Sequence, residues 1–393
     1  MDASRIILIV LDSVGIGALP DADEYGDQGA DTLGHIAAKV QLDLPHLESL
    51  GLGKIRDLPG ILSDIKASGV YGKMAEKSVG KDTTTGHWEL AGLITEKSFP
   101  VYPEGFPEKI IQEFENKTGL KVLGNKPASG TEIIEELGEK HLATGYPIVY
   151  TSADSVFQVA AHKQKISVQK LYQICRKARK ILTGEHAVAR VIARPFTGQP
   201  GNFERTEERK DFSLSPPEET MLDKIKNDGY SVTAVGKIND IFTGQGISSS
   251  IAAKSNREVV DTVVRLIEEK NEGLIFANLV EFDMNFGHRR DVEGYARALE
   301  KFDNRIPEIT AGLKKNDVLI ITADHGCDPT FRGTDHTREY VPLLIMGERI
   351  VSDYNPGIRK SFADLAATVV DLLGVKKVKD GTSFAQKIWG GVK

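Results

Sequence analysis

Cysteine is nearly absent: Cys175 and Cys327 are the only two in 393 residues. Two thiols build no disulfide framework, so a reducing, cytoplasmic setting fits best. Long hydrophobic runs are missing as well. No stretch reaches the roughly 18 apolar residues of a membrane span. The apolar run in MDASRIILIVLD, about six residues ending in an acid, is too short for a secretory leader. Nor is there a basic excess. The 50 Lys and Arg against 56 Asp and Glu give a net charge of -6, which disfavours nucleic acid as a principal partner because no surplus cations remain for its phosphates. Repeats and low-complexity tracts are absent. What is present is a chain 40% hydrophobic, enough for a large core and long enough for two domains.

Residues 5–11 form a short continuous apolar run, the signature of a strand buried on both faces of a parallel sheet. Similar runs recur at 231–235, 274–280 and 318–322. Helical stripes alternate with them. Ser255 or Asn256 caps one that carries Val259, Val260, Val263, Val264 and Ile267. Val292, Tyr295, Leu299, Phe302 and Ile306 mark another. Leu365, Val369 and Leu373 mark a third, stopped by Gly374. This alternation predicts a doubly wound α/β core. The middle, residues 98–215, is richer in Pro and Gly and has its own helix and strand signals. It reads as an inserted α+β cap domain, so the core comprises 1–97 and 216–393. Within the insert, Ser129 to Glu132 has the capping-box pattern before Ile133, Ile134 and Leu137. Residues 189–194 alternate like a strand, and the polar stretch 198–219 is expected to be a return loop.

Three of the apolar strands end in acids. The first ends at Asp12; NLVEFDMNFGHRRD supplies Asp283 and His288; LIITADHG supplies Asp324 and His325. Eleven residues on, GTDHTRE adds His336. The carboxyl ends of strands in an open α/β sheet are where ligands bind, so the fold itself would gather these groups. Carboxylate oxygens with imidazole nitrogens suit Mn2+ or Zn2+. Six such groups are more than one ion needs, and two adjacent ions can clamp both oxygens of an in-line phosphoryl transfer. A second polar segment, VGKDTTTGHWELAG at 79–92, places three threonines after an acid. A metal-activated Thr hydroxyl would be a nucleophile. From spacing alone the acid and the threonines serve equally as a helix cap, and Thr83, Thr84 and Thr85 are not separated.

Taken together, LDSVGIG, GKDTTTGHWE, GNKPASGTEI, YTSADS, RVIARPF, FGHRRD and TADHG with GTDHTREYVPLL resemble the phosphopentomutases, a branch of the alkaline phosphatase superfamily. The resemblance runs from residue 5 to the C-terminal region. It implies an alkaline-phosphatase-like core with an inserted cap, and two Mn2+ per chain. One ion would be held by Asp12, Asp324, His325 and the nucleophile, the other by Asp283, His288 and His336. The resemblance assigns the nucleophile to Thr83, the residue directly after the acid. The Asp283 to His288 spacing is one residue longer than in related phosphoglycerate mutases, which favours the pentomutase branch. Cys327 departs from the Asn expected after DHG, and reads as a buried spectator.

The implied chemistry is a reversible exchange of ribose 1-phosphate and ribose 5-phosphate, and of the 2-deoxyribose pair. It would pass through a phosphothreonine enzyme and a bisphosphate intermediate, primed by glucose 1,6-bisphosphate or ribose 1,5-bisphosphate. The cap should close to keep water out. The far phosphate needs cations, and Arg forks match its oxygens. Arg190 and Arg194 share one face of a strand, Arg205 lies in the expected return loop, and Lys237 follows the strand at 231–235. The resemblance favours Arg190, Arg205 and Lys237 there, with Ser152 and Asp154 on the sugar hydroxyls. The rival readings are a metal-dependent phosphatase or phosphodiesterase of the same superfamily, and a non-catalytic metal-binding protein. The expected partners are small sugar phosphates, not nucleic acid or membrane. The sequence leaves the oligomeric state open, and a monomer is compatible with it.

Overall fold

The apolar run near the N-terminus folds as an interior strand of a sheet. Arg5–Leu11 (β1) is buried at every position and lies between two parallel neighbours, as a strand covered on both faces should. The computed structural model describes residues 1–152, 155–269 and 271–390. In chain order, the further strands among these residues are β2 (Val70–Met74), β3 (Leu123–Pro127), β4 (Ile148–Thr151), β5 (Val156–His162), β6 (Arg190–Gln199), β7 (Asn202–Arg205), β8 (Lys210–Ser213), β9 (Ser231–Val235), β10 (Ser249–Ile251), β11 (Gly273–Leu279), β12 (Asp317–Thr322) and β13 (Val341–Met346). The chain divides into two compact units, Met1–Lys97 with Pro216–Lys393, and Ser98–Ser215.

The first unit holds a seven-stranded sheet in the order β10-β9-β11-β1-β12-β13-β2. From β10 to β12 every pairing is parallel, whereas β13 runs antiparallel to both β12 and β2. The predicted helices alternate with these strands. Helix Asn256–Glu268 is capped by Ser255, whose side chain accepts from the Glu258 amide, and it buries Val259, Val260, Val263, Leu266 and Ile267. Helix Ala363–Leu373 stops at Gly374, which takes the left-handed conformation (φ 72°). Helix Val292–Asp303 ends before Ile306, contrary to the single stripe expected. Ile306 opens a separate short helix, Ile306–Ala311, with Pro307 in its first turn, where a missing N–H does no harm.

The second unit holds a six-stranded sheet in the order β3-β4-β5-β6-β7, with β8 also pairing β6. Alternate residues of β5 face opposite sides. Phe157, Val159 and Ala161 join a cluster with Phe114, Leu171 and Ile174, while Ala160 joins one with Ile133, Ile134 and Phe203. Two expectations need correction here. The polar stretch 198–219 is not simply a loop, since it contains β7 and β8. Arg205 accordingly closes a strand rather than sitting in a linker. A single aromatic anchors each strand: Phe203 belongs to one cluster and Phe212 packs on the other, too sparse a signal to overcome the polar composition. Ser129 does precede helix Gly130–Thr144, but its hydroxyl meets Thr131 Oγ1, 3.0 Å away, and no side-chain cap forms.

Candidate metal centre and nucleophile

Because β1 lies between β11 and β12, the carboxyl ends of three adjacent parallel strands open onto one edge. Asp12 directly follows β1, and Asp324 and His325 follow β12 by two and three residues. After β11 the chain enters a π-helical turn, Phe282–Gly287, which carries Asp283 and delivers His288 at its end. His336 comes from the loop between β12 and β13. All six side chains meet there. Asp12, Asp324 and His325 form one group within metal-ligand reach, and Asp283, His325 and His336 form another. His325 Nε2 lies 3.4 Å from Asp12 Oδ1 and 3.3 Å from Asp324 Oδ2. His288 Nε2 and His336 Nε2 each lie 3.3 Å from an oxygen of Asp283.

The outward-facing atoms are tied down by protein. His288 Nδ1 meets the Thr334 carbonyl at 2.6 Å and His325 Nδ1 the Gly326 carbonyl at 3.1 Å. A carbonyl only accepts, so Nδ1 of both rings carries the proton and Nε2 presents its lone pair inward when the ring is neutral. Asp12 Oδ2 accepts from Asn278, and Asp324 Oδ1 from the Ser13 amide. To donate there, Ser13 takes a left-handed backbone (φ 71°), uncommon for a residue with a side chain. The inner atoms Asp12 Oδ1, Asp324 Oδ2, Asp283 Oδ1 and His336 Nε2 are buried without a hydrogen-bond partner. Buried polar atoms normally find partners. Orphaned oxygens and an imidazole nitrogen, in two groups that share His325, form a donor set that fits divalent cations.

Electrostatics agrees. Burial, reinforced by the carboxylate of Asp324, raises the pKa of Asp12. Burial alone would lower His325, yet Asp324, Asp12 and Asp283 hold it well above its ordinary value. For Asp283 burial acts upward, but the neighbouring imidazoles of His288 and His336 leave it well below the usual range. Three acidic side chains thus face one another across a group of imidazoles.

Thr83 opens helix Thr83–Leu90, capped by Asp82, which accepts from the Thr84 and Thr85 amides. The geometry separates Thr83 from Thr85. Thr85 Oγ1 is engaged by Asp82 Oδ2 at 2.6 Å, whereas Thr83 Oγ1 lies 3.2 Å from His325 Nε2. The cap and the candidate nucleophile therefore coexist. A helix N-terminus also favours a negatively charged group at this position.

Several residues at this edge escaped the sequence reading. His87 is wholly buried, with Nδ1 2.9 Å from the Thr83 carbonyl and Nε2 3.2 Å from Asn278 Nδ2. Its position four residues after Thr83 on a helix places it on the same face, a signal available in the sequence. Asn278 was another, as an amide inside the apolar strand β11. Lys81 reaches Asp27 at 3.0 Å and Asp335 at 3.4 Å, joining the Thr83 segment to the loop bearing His336. Cys327 is buried, as expected, but Sγ lies 3.9 Å from His288 Nδ1. Burial and the charge of Asp283 push its thiol pKa up, and Cys327 lies within metal-ligand reach of Asp283 and His288.

The proposed substrate contacts are more scattered. Lys237 is exposed just past β9. In the second unit, Ser152 follows β4, half-buried. Arg190 opens β6, 3.7 Å from Asp211, and Arg205 closes β7. Arg194 holds Gln158. Asp154 lies outside the described residues.

A family profile described as the metalloenzyme superfamily matches residues 4–377. A phosphopentomutase of Caldanaerobacter subterraneus subsp. tengcongensis is 60% identical over 384 residues, 98% of either chain. One of Acetivibrio thermocellus is 58% identical over 385 residues, 98% of this chain and 99% of its own. In fold, the chain is similar to the phosphoglycerate mutase of Leishmania mexicana, with a TM-score of 0.51 at 12% identity over 100% of this chain and 98% of that one. Among the described residues, no helix is long and apolar enough to cross a membrane.

Proposed function

The chain belongs to the metalloenzyme superfamily and, within it, to the phosphopentomutases, and from that premise we propose its reaction in detail, its metal and its working residues. The reaction is the isomerisation of ribose 1-phosphate and ribose 5-phosphate, and of the 2-deoxyribose pair. Thr83 carries a phosphoryl group in the resting enzyme, placed there by a priming sugar bisphosphate such as glucose 1,6-bisphosphate or ribose 1,5-bisphosphate. The bond from phosphorus to Thr83 Oγ1 breaks as one forms to the free hydroxyl oxygen of the sugar phosphate, whose proton passes to Thr83 Oγ1, giving a free Thr83 hydroxyl and a bisphosphate. Its other phosphoryl group then returns to Thr83. The net result is one phosphoryl group moved and one phosphoenzyme restored.

Asp12, Asp324, His325 and Thr83 would hold one Mn2+, and Asp283, His288 and His336 a second. When bound, these ions supply positive charge for the transferring group and lower the pKa of the Thr83 hydroxyl. The protein does the rest. The Asn278 and Ser13 donors aim Asp12 and Asp324, and the Thr334 and Gly326 carbonyls aim His288 and His325. For the sugar phosphate we assign Ser152, Asp154, Arg190, Arg205 and Lys237, by likeness to the family's motifs. The setting is the cytoplasm.

The observation that carries this reading is the 3.2 Å approach of Thr83 Oγ1 to His325 Nε2, beside the orphaned oxygens of Asp12 and Asp324. Phosphorus NMR of the protein with Mn2+, ribose 5-phosphate and a trace of glucose 1,6-bisphosphate tests it. A ribose 1-phosphate signal with little inorganic phosphate is expected. Steady release of inorganic phosphate would instead move the protein to the phosphatases or phosphodiesterases.

A further inference from the structure

We infer that His87 and Asn278 form a positioning relay that fixes the backbone of Thr83 relative to Asp12. The inference rests on the reading of Thr83 as nucleophile. Four groups stand in a line. His87 Nδ1 is 2.9 Å from the Thr83 carbonyl oxygen, His87 Nε2 is 3.2 Å from Asn278 Nδ2, and Asn278 Nδ2 is 3.1 Å from Asp12 Oδ2.

The direction of every bond is fixed from both ends. A carbonyl oxygen only accepts, so His87 Nδ1 must donate. A carboxylate oxygen also only accepts, so Asn278 must turn its amide nitrogen toward Asp12. That nitrogen carries two hydrogens. One goes to Asp12 and the other faces His87 Nε2, which must then accept. The two chains of reasoning meet at one tautomer of His87, with the proton on Nδ1. Turning the amide over would set its oxygen against the Asp12 carboxylate.

Two further observations point to position rather than packing. Both side chains are wholly buried, and Asn278 Oδ1 is left without a partner. Leaving a buried amide oxygen bare is costly, so the bonds made by the Asn278 amide nitrogen outweigh that cost. The His87 ring also lies nearly parallel to Phe276, 25° between planes at 5.9 Å, which limits its rotation. Asp324 Oδ2 also lies 3.0 Å from His87 Nδ1, so the same ring edge faces both the Thr83 carbonyl and Asp324. The relay touches neither sugar nor phosphate. It sets where the Thr83 hydroxyl stands.

The test uses the full chain loaded with Mn2+. His87→Asn keeps a donor near the Nδ1 position and removes the Nε2 acceptor. Asn278→Leu removes the link to Asp12. For each variant and for the double variant we would measure bound Mn2+ per chain, kcat and KM for ribose 5-phosphate, and the rate of Thr83 phosphorylation by glucose 1,6-bisphosphate. Each single variant is expected to lose about 10–100-fold in kcat per metal-loaded chain, with KM within about twofold. The double variant should be no slower than Asn278→Leu, since a broken relay cannot break twice. Unchanged kcat per metal-loaded chain, or losses that multiply in the double variant, would overturn the relay. If Asn278→Leu does not fold, His87→Asn with His87→Gln, which keeps a polar atom near Nε2 and removes the Nδ1 donor, decides the matter by the same readouts. If the wild type makes no ribose 1-phosphate, the proposed reaction fails separately, and the Thr83 phosphorylation rates judge the relay.

Discussion

Gly86 packs against the backbone of Asp324 so closely that a Cβ on Gly86 would stand 2.2 Å from the Asp324 carbonyl oxygen. Glycine inside a helix is ordinarily a loss of roughly 1 kcal/mol against alanine. Here the missing side chain lets the helix that begins at Thr83 lie directly on the strand end that bears Asp324 and His325. Gly86→Ala should therefore reverse the usual sign, destabilising the fold by about 1–3 kcal/mol as overpacking does. It should also reduce turnover at least about tenfold by moving Thr83 from its place. Thermal unfolding and phosphorus NMR measure the two effects. A more stable, fully active variant would show that the contact yields.

Thr83→Ala should abolish both the phosphoenzyme and turnover while leaving bound metal present. Intact mass after treatment with glucose 1,6-bisphosphate reads the first, and metal analysis the last. Its neighbours provide the control. Thr84→Ala should phosphorylate normally. Thr85→Ala loses the 2.6 Å bond to Asp82, so it should lose about 1 kcal/mol of stability and still phosphorylate. Phosphorylation of Thr83→Ala would transfer the nucleophile to another residue.

Much of this site was legible before folding was considered. An acid at the end of an apolar run marks both a strand end and a candidate ligand, so Asp12, Asp283 and Asp324 stood out. His288, His325 and His336 followed from their nearness to those acids. Thr83 needed the family resemblance, because in GKDTTTGHWE the spacing treats all three threonines alike. Only the opposed roles of Asp82, bonded to Thr85, and His325, beside Thr83, separate Thr83 from Thr85. His87 and Asn278 went unread because their roles depend on meeting each other across 191 positions of chain. The strands around Phe203 and Phe212 were missed because one aromatic in a polar stretch leaves no alternation to detect.

Metal removal gives a third expectation. Chelation should abolish turnover, and re-addition of Mn2+ should restore it. Asp283→Asn, which alters the carboxylate beside both His288 and His336, should cut bound Mn2+ per chain relative to the wild type. An ion that binds only the folded state also stabilises it by mass action. The unfolding midpoint should thus rise with Mn2+ concentration in the wild type, and less in Asp283→Asn. Equal metal content in the two proteins would remove Asp283 from the ligand set.

The last expectation concerns Glu339, buried beneath the loop that carries His336. Its Oε2 accepts from the amides of Gly17 (3.1 Å) and Thr32 (2.9 Å), and its Oε1 from the hydroxyls of Thr32 and Thr337 (2.7 Å each). Burial outweighs these four donors and pushes its pKa from 4.5 up to about 7. A folded-state value above the unfolded one means that the folded protein holds the proton more tightly. The associated stability is present in full below about pH 4.5 and is lost as pH rises through about 7. At about 1.4 kcal/mol per pH unit, the whole effect is on the order of 3 kcal/mol. Glu339→Gln keeps the shape and never ionises. Its amide oxygen can face the two backbone N–H groups, and its NH2 the two hydroxyls, which can accept. Denaturant unfolding of both proteins at pH 4.5 and pH 8, at fixed Mn2+, isolates the effect because the rest of the chain is common to both. The wild type should lose stability relative to Glu339→Gln across that interval. A difference that stays flat with pH would mean that the four donors outweigh burial and keep the carboxylate at its ordinary pKa.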